Sequence, residues 1–107
     1  MLTHIVMWRL KDEFSPEDKF KKAIELKVAL EGLKNDISEI VSIEVGIDGA
    51  IGHRCCCQPQ QNFDLCLYST FESPQALEVY QKHPAHVAVA SKVKEAVKER
   101  ACVDFMQ

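Results

Sequence analysis

Glycine and proline are sparse in this chain, four of each in 107 residues, which excludes a collagen-like or low-complexity polymer. No stretch approaches the roughly 18 apolar residues that a membrane span needs. Neither sign of charge dominates. Thirteen Lys and Arg against sixteen Asp and Glu give a formal net charge of −3, so no basic footprint is offered to nucleic acid or to an anionic membrane. The lysines between Lys11 and Lys34 are interleaved with Asp and Glu, the pattern of a solvated helix face. The opening MLTHIVMWRLKDEF has no basic n-region, no long apolar run and no small-residue cleavage site, and is not expected to act as a signal peptide. The five cysteines are an odd number, three of them adjacent at 55–57, and do not form the framework of a secreted disulfide domain. Reduced thiols and a cytoplasmic location are the expectation.

What is present is an ordinary globular balance, 47% hydrophobic and 27% charged, in a length suited to one domain over residues 1–107. Leu2–Leu10 is apolar and β-branched, a strand. SPED then opens a helix, with Ser15 as cap, Pro16 in the first helical position and Asp18 at the positive end of the dipole. Its apolar stripe is Phe20, Ala23, Leu26, Leu30 and Leu33, and Gly32 and Asn35 mark its end. A second strand spans ISEIVSIEVGID, residues 37–48. The aperiodic GAIGHRCCCQPQQN, residues 49–62, reads as a loop. FDLCLYSTF, residues 63–71, is a third strand. Ser73 and Pro74 repeat the Ser-Pro helix start, giving a short helix to about Lys82. Pro84 opens another helix, AHVAVASKVKEAVKER, with His86, Val89, Ala90, Val93, Ala96 and Val97 on its stripe. ACVDFM is the last strand.

The order β-α-β-β-α(α)-β is that of an α+β, ferredoxin-like fold, a four-stranded antiparallel sheet with helices on one face. Its strands are apolar on both sides. The first carries Leu2, Val6, Trp8 and Leu10 against Ile5 and Met7; the third carries Phe63, Leu65, Leu67 and Phe71 against Cys66 and Tyr68. Helices cover one face only, so a second copy of the sheet is the expected cover for the other, in an isologous homodimer.

His86 lies on the apolar stripe of its helix, which points the ring toward the sheet. It also sits in the first helical turn, where the dipole and partial burial both disfavour an imidazolium. A neutral imidazole at pH 7 is a usable general base. The plain alternative is a core histidine bonded to backbone. Tyr80 stands in the last turn of the preceding helix, and the reversal at His83–Pro84 allows it to converge on His86. Its phenol suits hydrogen-bond donation to a carbonyl that becomes an enolate; the alternative is a packed ring with a wet hydroxyl. His4 shares a side with Leu2 and Val6, a position that also suits a satisfied core histidine. His83, before Pro84, reads as a cap or rim residue. The run HRCCC offers one His and three Cys, but adjacent cysteines point apart and no second Cys/His pair stands at metal spacing. No Gly-rich phosphate loop appears. Neither a metal nor a cofactor is expected.

Taken together, HIVMWRLKD, FDLCLYSTFES, YQKHPAHVAVA and the closing VDF resemble the stress-responsive A/B barrel (Dabb) domain family. The resemblance spans nearly the whole chain in order. It implies a dimeric α/β barrel, built from two ferredoxin-like subunits with helices outside. The family's polyketide cyclases close a linear chain by intramolecular aldol condensation in a pocket between sheet and helices. Their pattern implies His86 and Tyr80 as catalytic candidates and His4 as a pocket residue; Val6, Trp8 and Leu65, on the same face of the sheet, are expected as further walls, with Trp8 a departure from that pattern. Leu65 stands where a further pocket histidine would be.

Two readings follow. One is a homodimer with a small apolar ligand pocket and no assignable activity, and the residues favour it because they define no substrate. The alternative is a cofactor-free enzyme of cyclase or lyase type acting on a carbonyl compound, with His86 as base and Tyr80 as partner. The expected partners are a second copy and a small apolar or carbonyl-containing ligand, with no nucleic acid and no membrane.

Overall fold

In the computed structural model, residues 1–49 and 62–107 are described. The cysteine run at 55–57 and nearly all of the 49–62 loop lie outside them. The elements are β1 (Leu2–Leu10), α1 (Pro16–Glu31), α2 (Leu33–Asp36), β2 (Ser42–Ile47), β3 (Leu65–Phe71), α3 (Pro74–Lys82), α4 (Pro84–Ala96) and β4 (Val97–Met106). They form one antiparallel sheet in the order β2-β3-β1-β4. This is the ferredoxin-like arrangement. No helix among the described residues is long and apolar enough to cross a membrane.

Local chemistry sets the helix starts. The Ser15 hydroxyl accepts from the Asp18 amide at 3.1 Å, and that of Ser73 accepts from Ala76 at 3.2 Å. Each cap satisfies an amide that the first turn leaves without a partner. A proline occupies the first turn in both cases, where its missing N–H costs nothing.

The core lies between the helices and one face of the sheet. It holds Leu2, Val6, Trp8 and Leu10 of β1, Leu65, Leu67 and Phe71 of β3, and Ala23, Leu26 and Leu30 of α1. Phe20, placed on the α1 stripe by its spacing, is instead 45% exposed. It sits one turn before Ala23, in a helix whose buried face begins at Ala23. α1 is also fixed to the edge of the sheet. Glu31 accepts from the Val45 amide at 3.0 Å while the Lys27 ammonium donates to the Val45 carbonyl. Side chains thus occupy the edge groups of β2 that another strand would otherwise seek.

Three boundaries differ from the sequence expectation. Residues 37–41 precede β2 instead of belonging to it, and Ile37 and Ile40 are buried there. β3 begins at Leu65, after Phe63 and Asp64. Val97–Arg100 is strand, not the end of the last helix. There β4 pairs with β1 from Leu10↔Val97 to Leu2↔Met106. The ladder of β1 needs partners along its whole length, and this outweighs the helical preference of Lys98, Glu99 and Arg100. An ion pair from Lys98 to Asp12, 2.8 Å, ties the start of β4 to the turn after β1.

The second face of the sheet carries Ile5, Met7, Cys66, Tyr68, Ala101, Val103 and Phe105, by the alternation of each strand. Tyr68 is 42% exposed, Val103 52% and Phe105 38%. An apolar sheet face of this kind is unusual for a surface that stays in water.

Candidate functional site

A cavity of about 500 Å³ opens between the sheet and the helices, in the size range of small-molecule sites. His4, Val6 and Trp8 of β1 and Leu67 of β3 form its floor, and Tyr80 of α3 and His86 and Val93 of α4 form its opposite wall. Lys94, Lys98 and Arg100, all exposed, stand around its rim. Leu65 does not line it. Leu65 is buried in the core beside Trp8, and Leu67, two residues along the same face, takes the wall position.

The corner between α3 and α4 brings Tyr80 and His86 together. His83 is extended there (φ −63°, ψ 136°), as a residue before proline must be. It ends α3 and begins α4, with its Nδ1 accepting from the Ala85 amide at 3.1 Å. The chain turns back, and the rings of Tyr80 and His86 lie with centroids 4.5 Å apart, tilted by 53°. Tyr80 also packs on Phe71 at 5.0 Å and on His4 at 6.2 Å.

The protonation states follow from the partners. Nδ1 of His86 lies 3.1 Å from the Gln81 carbonyl. A carbonyl only accepts, so Nδ1 carries the hydrogen and the neutral ring keeps its lone pair on Nε2. Burial lowers the His86 pKa, His4 and Arg100 add to the effect, and the Gln81 bond opposes it. The half-buried ring is therefore neutral near pH 7. Burial pushes the Tyr80 hydroxyl up to about 12, so it stays a hydrogen-bond donor. That hydroxyl has no hydrogen-bond partner among the described residues. A neutral base and a phenol donor, side by side in an apolar cavity, are the parts needed to move a proton next to a carbonyl.

His4 is held by a group that the sequence did not single out. Its Nδ1 bonds the Asp104 carboxylate directly across the β1–β4 ladder. Cys102, two residues earlier on β4, places its sulfur 3.8 Å from the same nitrogen. The alternation of ACVDFM puts Cys102 and Asp104 on one face, but only the register with β1 brings them to His4.

Residues 2–107 match the stress responsive A/B barrel domain. A dimeric protein of unknown function and ferredoxin-like fold from Bacteroides fragilis shares 33% identity and a TM-score of 0.82, over 99% of this chain and 95% of that one. An Arabidopsis thaliana protein shares 26% identity and a TM-score of 0.76, over 100% and 95% of the two chains. A hydroxynitrile lyase from Passiflora edulis, 21% identical with a TM-score of 0.74 over 97% and 90% of the chains, is similar in fold. No curated protein matches in sequence. The chain belongs to the stress-responsive A/B barrel family.

Proposed function

We propose that this protein, a single domain over residues 1–107, works as a homodimer that binds a small apolar carbonyl compound and moves a proton on it without a cofactor. The observation that carries this reading is the contact of Tyr80 and His86 in a mostly apolar cavity. Nε2 of His86 takes a proton from the carbon next to the carbonyl. The electron pair of that C–H bond passes to the carbonyl oxygen, where the Tyr80 hydroxyl donates to the developing enolate. Return of the proton, or attack of the enolate on a second electrophile in the same molecule, completes the step. His4 and Trp8 shape the floor, and the neutral form of His86 makes the base available near pH 7.

The dimer rests on the uncovered apolar face of the sheet and on the dimeric Bacteroides fragilis relative. Two such faces packed together would remove Tyr68, Val103 and Phe105 from water. The odd cysteine count, with Cys66 and Cys102 free, suits a reducing cytoplasm.

The test is α-proton exchange in D₂O, followed by NMR over a panel of apolar ketones and β-keto acids. Exchange accelerated by the protein and lost in His86→Ala supports the reading. Ligands that bind in the cavity but exchange no faster than in buffer would leave a binding protein without this activity.

A further inference from the structure

Beside His4, the edge strand β4 adds two further potential metal ligands of different chemistry, both exposed and neither lining the cavity. Asp104 stands opposite His4 in the β1–β4 ladder, and Cys102 opposite Val6, one pleat further along. Strand alternation turns both β4 side chains to the face that carries His4. The His4 nitrogen, the Cys102 sulfur and the Asp104 oxygen all lie within 4.8 Å of one another. The sulfur is 3.8 Å from His4 Nδ1 and 3.7 Å from Asp104 Oδ1.

We propose that His4, Cys102 and Asp104 bind a divalent metal ion of the zinc class, with the remaining coordination position open to solvent at the exposed β4 edge. A tetrahedral zinc ion with bonds of about 2.0–2.3 Å sets its ligand atoms about 3.3–3.7 Å apart. The sulfur already stands close to that spacing from both partners. The one contact that has to open is between His4 and Asp104, where the ion replaces the hydrogen of their bond. His4 then ligates through Nδ1 and carries its proton on Nε2, and Cys102 binds as thiolate after releasing its proton. Thiolate and imidazole together select zinc, cobalt or copper over magnesium and calcium, which prefer oxygen alone. The three ligands come from two directly paired strands, so the sheet holds them in place before the ion arrives. Three protein ligands instead of four make an open site, in which a water completes the shell. The site does not depend on His86 acting as a base, so its test is independent of catalysis.

The experiment is a Co²⁺ titration of a variant carrying Cys55→Ser, Cys56→Ser and Cys57→Ser, which retains Cys66 and Cys102. The expected result is about one equivalent bound per chain with a near-ultraviolet thiolate-to-cobalt band, bleached when Zn²⁺ is added. Adding Cys102→Ser, an exposed position where serine keeps the fold, should abolish the band and weaken Co²⁺ binding at least about tenfold. Asp104→Asn should keep the thiolate band and weaken binding. A titration with no thiolate band, or a band that survives Cys102→Ser, overturns the assignment.

Discussion

Tyr80 and His86 belong to different helices, yet their rings sit 4.5 Å apart on either side of a single histidine-proline corner. His86→Ala removes the base and leaves the corner, since His83 and Pro84 form it. The expected loss is about 10²–10⁴-fold in the rate of α-proton exchange, read by NMR. Circular dichroism that stays close to the parent protein would show that the fold is kept.

Tyr80→Phe separates packing from chemistry. The ring contacts with Phe71 and His4 persist, and the hydroxyl has no partner to lose among the described residues. Stability should change by less than about 1 kcal/mol, while exchange falls on the order of 10²-fold with the enolate donor gone. A Tyr80→Phe protein as active as the parent would remove Tyr80 from the reaction.

The pH profile should carry the signature of the lowered His86 pKa. Protonation removes the base, so activity should fall on the acid side below the ordinary imidazole value of 6.5. Its basic side should be free of Tyr80, whose pKa is about 12. Stability follows the same group. Below pH 6.5 the unfolded chain takes up a proton at His86 before the folded one does, so the contribution present above pH 6.5 is lost as pH falls through the folded pKa. Urea melts at pH 7.5 and pH 5 should differ more for the parent than for His86→Ala.

The apolar sheet face makes a prediction about mass. Val103→Glu puts a carboxylate in the middle of the surface shared with Ile5 and Tyr68. Light scattering should give twice 12.1 kDa for the parent and a particle near 12.1 kDa for the variant. A parent protein at 12.1 kDa would rule out the dimer directly.

Asp64 is buried and accepts from the Leu10 amide at 2.8 Å. Asp64→Ala leaves that buried N–H without its acceptor, at a cost of about 1–3 kcal/mol. Asp64→Asn keeps an oxygen in place and should cost less. Thermal melts of the two variants give the comparison.

The sequence shows most of the fold because its signals are local. Ser-Pro pairs start α1 and α3, and the two-sided apolar pattern of β1 and β3 marks a sheet with two faces to cover. Tyr80, His86 and His4 stand out because a titratable or phenolic side chain on an apolar stripe is conspicuous. What it hides depends on pairing. Alternation fixes which face Leu65 and Leu67 share, but not which of them lies under the cavity. Asp104 and Cys102 meet His4 only through the β1–β4 register, across about 100 residues of chain. Val97–Arg100 reads as helix until β1 demands a neighbour. The HRCCC run attracts attention as a metal ligand set, whereas the clustered donors of the described residues come from two strands far apart in sequence and paired in the sheet, His4 from β1 and Cys102 and Asp104 from β4.

The tight turn at His83 and Pro84 has a consequence for tolerance to change. Tyr80 and His86 are spaced by a short stretch of backbone, so the turn sets how far apart the two side chains start. Under the proposed function, substitutions at Val6, Trp8, Leu67 or Val93 would reshape the hollow while leaving the Tyr80–His86 corner in place, a fixed pair beside an adjustable mould.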